Sequence, residues 1–396
     1  AVGGDLRPLI GNSLEALGTL FVKGDPFITY NIPGRPVFDP LTAALFVGGA
    51  LFCLWHWRKP ACAFVLLWFG AAFAPAMAVG AFNMTMHAVT AQGVVFLMPA
   101  LAVDAVVHHR KQKEKERERE RERQNLSGLR VLSGKTLWIG FAVLVGATAI
   151  VTYRDYFDRW ANSAETRAAY FSGLRGVTAY LRDTSFQGVV TLSSPFPDLP
   201  HDPFIADLRV RRDDLNVRWF DARAAFVFPQ TEQSLLVVPA NAYPDPIFAA
   251  HLPLADAERH ATLDSYFDTL IWNPQKALEE WMADGSLTVA NPPVNFGGAV
   301  ELIAFKSPAA ARLGESAPTI TFWRVTDPAA LGPRSPINYA PEAALFLHVL
   351  DASGNLITGD DRLQAPAWNW RAGDVFAQIH RAVIPPDAAP GEYRLE

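Results

Sequence analysis

One arginine lies in a proline-rich segment directly before a long apolar stretch. The segment 23–40 reads KGDPFITYNIPGRPVFDP, and its Arg35 and Asp39 stand just ahead of the apolar residues. Prolines restrict the backbone, so such a segment holds its side chains in fixed directions. A guanidinium fork matches the oxygens of a phosphate group. The segment is therefore either a phosphate-binding loop or an ordinary turn whose charges lie at a membrane surface.

Two further side chains are candidates for the same chemistry. Lys23 opens the proline-rich segment, and His87 precedes the third apolar stretch of the chain. Both can donate hydrogen bonds to a phosphate group, although a lone histidine at such a place is more often a structural hydrogen-bond donor. We place Lys23 and His87 behind Arg35 as phosphate-binding candidates.

A cluster of acidic residues and one histidine lies further along the chain. The segment PDLPHDPFIAD reads as a loop and carries Asp198, His201, Asp202 and Asp207. Carboxylates and imidazole can hold a metal ion, but this spacing matches no known type of metal site. We expect neither a metal nor a cofactor.

Four apolar stretches must position the candidate residues. They cover residues 41–57, 61–79, 88–107 and 136–153. Each has the length of roughly 17–20 residues that a helix needs to cross a hydrocarbon core of ~30 Å. Lipid offers the backbone no hydrogen-bond partners, so each stretch is predicted to be a transmembrane helix. The alternative is four buried helices of a soluble protein.

A run of charge orients the predicted spans. The linker 108–135 contains the sequence RKQKEKERERERER, with eight Lys and Arg against five Glu. Cytoplasmic loops collect Lys and Arg, and Arg58 and Lys59 agree with this assignment. We therefore expect a cytoplasmic linker, whereas 1–40, an interfacial helix with its proline-rich loop, and 154–396 lie on the outer face of the cell membrane.

The composition fits a chain that is partly membrane-embedded. Hydrophobic residues make up 50% and charged residues 19%, and the mean hydropathy is +0.09, which is low for a pure helical bundle. The net charge of −5 argues against a nucleic-acid partner. Cys53 and Cys62 fall in or beside the spans and form no disulfide framework.

The outer region reads as two modules. Residues 154–295 alternate strands with helices, the latter including 263–269 and 274–284, which predicts an α/β module. Residues 296–396 predict a β-sandwich, which we expect to be truncated because 391–396 opens a strand. The predicted strands are 188–192, 217–220, 225–228, 235–238, 300–305, 319–324, 345–350 and 375–384.

The order of these pieces resembles one known family. The string GDPFITYNIPGRPVFDPLTAALFVGGALF, a basic step WRKP, and NMTMHAVTAQGVVFLMPAL resemble the late half of bacterial multi-pass membrane glycosyltransferases. The group is that of the protein O-mannosyltransferases and the lipid A aminoarabinose transferase, glycosyltransferase family 39. The later segments VRWFDARAAFVFP, SLLVVPANA, LFLHVLDASGNL and PPDAAPGEYRLE resemble the extension that follows the spans in such proteins.

The resemblance implies roles for the proline-rich loop. The family pattern NxPGRP is matched here by five residues: Asn31, Pro33, Gly34, Arg35 and Pro36.

At the third span the chain departs from the family. The His of the family's His–Arg pair is matched by His87, but the Arg position holds Thr90. The resemblance also implies a catalytic Asp in the first outer loop of an N-terminal half, upstream of Ala1.

Two functions follow. The first is the C-terminal portion of a membrane glycosyltransferase that moves a sugar from a polyprenyl-phosphate donor to an extracytoplasmic glycan or protein acceptor. The second is a non-catalytic, membrane-anchored binding or scaffold subunit of the cell envelope or of a membrane complex. Both predict membrane lipid as a partner, and the second predicts membrane-protein partners as well.

Overall fold

A computed structural model describes residues 7–79, 84–124, 134–170, 172–332 and 343–396. The chain divides into two compact units, Ala1–Tyr170 and Phe171–Glu396. The chain is multidomain: the first unit is helical, and the second contains one mixed sheet and two antiparallel sheets.

The described part of the first unit consists of helices joined by short connections. A π-helical segment, Arg154–Trp160, follows α6 directly. The helices are α1 (Arg7–Phe21), α2 (Pro40–Trp55), α3 (Pro60–Val79), α4 (Met84–His87), α5 (Gln92–Gln124), α6 (Gly134–Tyr153) and α7 (Ala164–Ala169).

Each of the four predicted spans is helical over nearly all of its length, and among the described residues two helices have the length and apolar character of a membrane span. These are Pro60–Val79, with 20 residues, and Val89–His109, with 21. The apolar helix α2 is shorter, with 16 residues. Core helices of soluble proteins can have the same length and apolar character.

The charged run continues the third apolar helix. Helix α5 has 33 residues and carries the chain from the apolar part through the run to Gln124. The rest of the predicted linker, residues 125–133, lies outside the described residues.

A small aromatic core joins the helices of the first unit. Phe38, from the proline-rich loop, is only 3% exposed, and its ring lies 5.3 Å from that of Phe46 on α2. Helix α2 also approaches α5 closely, because a Cβ on Gly49 would lie 1.8 Å from the Met98 carbonyl oxygen. Small residues allow such close approach of two helices.

In the second unit, a mixed five-stranded sheet lies beside helices. Its strand order is β2-β1-β4-β6-β5, with β1 parallel to both β2 and β4, and β6 antiparallel to β4 and β5. The helices of this unit are α8 (Ser172–Asp183), α9 (Asp202–Val210), α10 (Pro246–Ala249) and α11 (Pro274–Ala283). The strands up to the end of this sheet are β1 (Gly188–Ser193), β2 (Leu215–Phe220), β3 (Ala225–Phe228), β4 (Ser234–Pro239), β5 (Glu258–Ala261) and β6 (Tyr266–Trp272).

Two antiparallel sheets complete the second unit, with orders β3-β12-β9-β8-β7 and β11-β10-β13. Strand β3 lies within the predicted α/β segment but pairs with β12, so that segment contributes a strand to an antiparallel sheet. The remaining strands are β7 (Thr288–Phe296), β8 (Val300–Lys306), β9 (Ser316–Val325), β10 (Leu345–Leu350), β11 (Leu356–Arg362), β12 (Val375–Val383) and β13 (Arg394–Leu395).

Two local predictions were wrong. Residues 263–269 were predicted helical, but Tyr266–Trp272 is β6, a strand paired on both sides. The segment predicted as an acidic loop contains helix α9, which begins at Asp202 with a proline in its first turn. Proline suits that position because backbone N–H groups in the first turn of a helix have no acceptor within the helix, so the absence of the proline N–H costs no hydrogen bond.

The free edge of β2 is closed by one side chain. The Trp219 backbone N–H donates to Oδ1 of Asn369 at 2.7 Å, and Nδ2 of Asn369 donates to the Val217 carbonyl at 3.1 Å. Asn369 is 6% exposed. Its amide therefore makes the two hydrogen bonds that a neighbouring strand would make.

Candidate functional site

The NxPGRP motif forms a tight turn before α2. The Arg35 backbone N–H donates to the Ile32 carbonyl at 3.0 Å, and Gly34 has a φ of +74°. This is the geometry of a type II turn, in which proline suits the second position and glycine the third. The turn geometry therefore explains why proline and glycine occupy positions 33 and 34.

A second contact fixes the backbone beneath Arg35. Gly24 and Gly34 are joined by an N–H···O bond of 3.0 Å, and a Cβ on Gly24 would lie 1.7 Å from the Arg35 carbonyl oxygen. The Asn31 side chain accepts from the Ile32 N–H at 2.8 Å and donates to the Arg35 carbonyl at 3.4 Å. The start and end of the loop are thus held together, and the backbone at Arg35 is held in place.

Asp39 caps the helix that follows. Its carboxylate accepts from the backbone N–H groups of Leu41 and Thr42 at 3.0 Å and from the Thr42 hydroxyl at 2.6 Å. Burial acts to raise the pKa of Asp39, but the hydrogen bonds from Thr42 and Leu41 outweigh it, and the pKa is lowered. The structure therefore gives Asp39 a role at the N-terminus of α2.

The Arg35 guanidinium contacts a carboxylate that the sequence analysis did not single out. Nη1 of Arg35 lies 2.9 Å from Oδ2 of Asp155, and Nη1 of Arg159 lies 2.9 Å from Oδ1 of the same residue. The side chain of Asp155 is 10% exposed, whereas those of Arg35 and Arg159 are 33% and 62% exposed. We call these three residues the arginine pair site. It holds two positive charges and one negative charge.

Asp155 lies in the π-helical segment. The Ala161 N–H donates to the Tyr156 carbonyl at 2.9 Å, a spacing of five residues. π-Helical turns are rare and occur often at functional sites. This turn points Asp155 toward the loop and leaves Arg159 exposed.

The chain after α6 holds the proline-rich loop at two more points. The Trp160 indole N–H donates to the Ile28 carbonyl at 2.6 Å, and the Tyr170 hydroxyl donates to the Thr29 carbonyl at 2.6 Å. Trp160 is 8% exposed. The loop is therefore attached to the segment that carries Asp155 by side-chain hydrogen bonds as well as by the ion pair.

Lys23 and His87 lie elsewhere around the loop. Lys23 is exposed beyond the end of α1, and His87 is the half-buried last residue of α4. Buried Asp25 connects α4 to the loop, since it accepts from the Phe27 N–H at 2.9 Å and the Thr85 N–H at 3.1 Å. Across the described ranges, no hydrogen bond or ion pair links Arg35 with Lys23 or His87.

An apolar groove lies between α2, α5, α6 and the π-helical segment. Its volume is about 760 Å³. Pro99, which interrupts the hydrogen bonding of α5, lines it, as do Tyr156 and Phe157. These two aromatic residues directly follow Asp155, so the lining of the groove is adjacent in the chain to the arginine pair site, although Arg35, Asp155 and Arg159 do not line it. The other lining residues are Thr42, Leu45, Phe96, Ala100, Val103, Leu144, Val145, Thr148, Ala149, Thr152 and Tyr153.

No cluster of three or more His, Cys, Asp or Glu side chains suited to a metal ion occurs among the residues that the structure describes. Comparisons with protein-family models, with curated proteins and with solved structures found no match in any of the three. The chemistry of the arginine pair site and the groove is therefore what indicates a function.

Proposed function

We propose that this chain is the C-terminal portion of a membrane glycosyltransferase that uses a polyprenyl-phosphate sugar as donor. The observation that carries the proposal is an apolar groove whose lining includes Tyr156 and Phe157. These residues directly follow Asp155, the carboxylate that two partly exposed arginines share. A polyprenyl phosphate has the matching chemistry, with a long apolar chain attached to an anionic group.

The groove supports the binding of the isoprenoid chain. At about 760 Å³ it falls within the ~300–1,000 Å³ range of small-molecule pockets. Its lining is almost entirely aliphatic and aromatic, and the polar atoms come from three threonines and two tyrosines. An isoprenoid chain bound there replaces water against apolar side chains, at roughly 25 cal/mol per Å² of apolar surface.

The arginine pair site supports the binding of the phosphate. Asp155 neutralises one of two guanidinium groups, which leaves one net positive charge. Guanidinium donors form strong, geometrically specific bonds with phosphate oxygens. When the sugar leaves its donor, the bond from the anomeric carbon to the phosphate oxygen breaks, and Arg35 and Arg159 meet the charge that develops on that oxygen. Lys23 and His87 are proposed to lie further from this oxygen.

The acceptor hydroxyl must lose a proton as it attacks the anomeric carbon. The three carboxylates that hold the loop are Asp25, Asp39 and Asp155, and each is engaged in hydrogen bonds or ion pairs. We therefore propose that the general base is a carboxylate other than these three, and the family resemblance implies an Asp upstream of Ala1. The same engagement favours the second candidate function, a membrane-anchored binding subunit that holds the lipid without catalysis.

We further propose four membrane spans, formed by α2, α3, the apolar part of α5, and α6. In this arrangement the linker 108–135 is cytoplasmic, and residues 154–396 are extracytoplasmic. The two antiparallel sheets are proposed to pack as a β-sandwich. The exposed apolar side chains on α2, α3 and α6 support contact with lipid, among them Leu51, Leu67 and Ile150, which are 61%, 73% and 71% exposed.

Photolabelling tests the groove. The purified chain in lipid nanodiscs is labelled with a photoactivatable farnesyl phosphate, and labelling is competed with unlabelled farnesyl phosphate or farnesol. Ala149→Trp fills the groove and should lower labelling at least fivefold. Ala147→Trp, on the same helix but outside the groove lining, is the matched control and should label normally. Equal labelling of both variants would remove the groove from the proposal.

Charge substitutions test the phosphate site. Arg35→Gln and Arg159→Gln should each weaken competition by farnesyl phosphate and leave competition by farnesol unchanged. Arg35→Lys keeps the charge but loses the guanidinium fork, so it should fall between the parent and Arg35→Gln. An assay of sugar transfer from a polyprenyl-phosphate sugar by the native gene product then distinguishes the transferase from the non-catalytic binding subunit. Transfer that Arg35→Ala abolishes supports the transferase, and lipid binding without transfer supports the subunit.

A further inference from the structure

A second cleft lies in the unit formed by residues 171–396, at the closed edge of β2. Its volume is about 310 Å³. Helix α9 forms one wall, β2 forms the floor, and the segment that contains Trp368 and Asn369 forms the opposite wall. This is the lower end of the ~300–1,000 Å³ range of small-molecule sites.

One arginine and one aspartate at this cleft form no ion pair, either with each other or with any other described residue. Arg211 uses Nε to donate to the Leu208 carbonyl at 3.0 Å and forms no ion pair with any described residue. The Asp207 carboxylate likewise makes no side-chain hydrogen bond or ion pair within the described ranges. Both side chains line the cleft and are exposed. They remain available to a ligand.

The side chain of the neighbouring arginine is held in place by hydrogen bonds to other parts of the protein. Arg212 makes two bonds to the Asp214 carboxylate, at 2.9 and 2.6 Å. It also donates to the carbonyls of Leu181, Thr184 and Phe186 at 2.6–3.0 Å. Arg211 and Arg212 both line the cleft, and of these two only Arg211 has a guanidinium that forms no ion pair with a described residue.

The backbone of Arg211 is held in a conformation that favours glycine. Its φ and ψ are 50° and 47°, and it is the only non-glycine residue with positive φ among those the structure describes. A side chain in this left-handed region costs roughly 1–2 kcal/mol. Such conformations cluster at ligand sites. The C-terminus of α9 therefore carries an arginine where a glycine would cap the helix at lower cost.

Aromatic side chains supply the flat surfaces of the cleft. Trp219 lies in the floor and is 5% exposed. Trp368 is half-buried, and its indole N–H donates to the Pro197 carbonyl at 3.2 Å, which fixes the plane of the ring. Phe204, 50% exposed, lies on the α9 wall.

We propose that this cleft binds an acidic sugar, one whose ring carries a carboxylate or phosphate group. The C–H face of a sugar ring is apolar and matches an indole, while its hydroxyl groups need hydrogen-bond acceptors at the side. Trp368 supplies the aromatic surface, Asp207 accepts from hydroxyl groups, and Arg211 binds the anionic group with its guanidinium fork. The cleft belongs to the second unit, so the assignment does not depend on the lipid chemistry of the first.

Calorimetric titration of the full chain in detergent micelles tests the proposal. The ligands are glucuronate and glucose 6-phosphate, with glucose as the uncharged control and leucine as a zwitterion of similar size. The parent protein should bind at least one acidic sugar at least tenfold more tightly than glucose or leucine. A preference for leucine, or no saturable binding of either acidic sugar, overturns the proposal.

Arg211→Gly is the decisive variant, because glycine removes the guanidinium and also relieves the left-handed backbone. It should raise the melting temperature and still lower affinity for the acidic sugar at least tenfold. Arg209→Ala removes the same charge from the exposed face of α9 outside the cleft and should bind normally. Trp368→Leu should weaken all sugars alike. Unchanged affinity in Arg211→Gly, or equal loss in Arg209→Ala, overturns the proposal. In every variant, farnesyl phosphate labelling of the first unit should stay unchanged.

Discussion

Arg218 and Asp374 form a buried ion pair that connects β2 to the turn before β12. The distance from Nε of Arg218 to Oδ2 of Asp374 is 2.5 Å, and the two side chains are 8% and 6% exposed. Arg218 also donates to Oδ1 of Asn216 at 2.6 Å, and Asp374 accepts from the Gln230 N–H at 3.0 Å. The pair thus links the mixed sheet to a long antiparallel sheet within the second unit.

Removing one partner of this pair should destabilise the second unit strongly. Arg218→Met leaves the Asp374 carboxylate buried without its partner, which typically costs about 3–5 kcal/mol. Chemical unfolding followed by circular dichroism measures the loss. The double variant Arg218→Met/Asp374→Leu removes both charges and should recover a large part of the stability. A double variant no more stable than Arg218→Met would contradict this account.

Gly24→Ala should disrupt the proline-rich loop. A Cβ at this position would lie 1.7 Å from the Arg35 carbonyl oxygen, and backbone must move to relieve that clash. The melting temperature of the full chain should fall, and farnesyl phosphate labelling should fall with it. Gly18→Ala is the matched control, since nothing lies within 4 Å of its Cβ position, and alanine favours a helix by roughly 1 kcal/mol. A stable, normally labelled Gly24→Ala would show that the close contact has no importance.

The cap of α2 gives a separate prediction. Asp39→Ala leaves two backbone N–H groups without their acceptor and should cost about 1 kcal/mol, whereas Asp39→Asn keeps a capping oxygen and should cost less. Because the pKa of folded Asp39 is lowered, its contribution is present above the ordinary value of 3.8 and is lost as pH falls below it. Thermal melting at pH 3 and pH 6 checks both effects. The difference between the parent and Asp39→Ala should shrink at pH 3.

Acid should destabilise the second unit through His380. This side chain is 1% exposed, and burial lowers its pKa below the ordinary 6.5, although the bond from Nδ1 to the Asp360 carbonyl at 2.9 Å opposes the shift. The unfolded chain therefore binds a proton more readily than the folded one. The free energy of unfolding should decline as pH falls below about 6.5.

His380→Asn tests that pH dependence. Asparagine keeps a donor close to the Nδ1 position but does not titrate, so the variant should lose less stability between pH 7 and pH 5 than the parent does. Urea unfolding at several pH values gives the two profiles. Parallel profiles would assign the acid sensitivity to other groups.

The secondary structure was predictable where pattern and flanking turns agree. Leu345–Leu350 and Ala225–Phe228 were predicted with their observed bounds, because β-branched and aromatic residues lie between clear turn signals. The helix predicted at residues 263–269 was wrong because so short a segment, with three apolar residues among polar ones, fits both a strand and a helix. Tyr266–Trp272 is a strand because it pairs with β4 on one side and β5 on the other. Pairing with β4 depends on how distant parts of the chain pack, which the local sequence does not show.

The candidate site was predictable in part. Arg35 was selected from its proline-rich surroundings, but its partner Asp155 was not, because the two residues are far apart in the sequence and meet only through the packing of the loop. One signal was present, since Asp155 is the first carboxylate after the apolar stretch that ends at Tyr153. Asp207 was selected as part of an acidic cluster, but its place in a cleft with Arg211 and Trp368 was not predictable, because the cleft is lined by residues from segments far apart in the sequence.

The amide of Asn369 has a consequence for the behaviour of the protein at high concentration. An open sheet edge is a template on which a second chain can add a strand, and such addition leads to aggregation. At β2 the template is already occupied by a side chain of the same molecule. Asn369→Ala should therefore leave backbone groups at the edge of β2 unpaired. Self-association measured by light scattering should then increase even where the monomer stays folded.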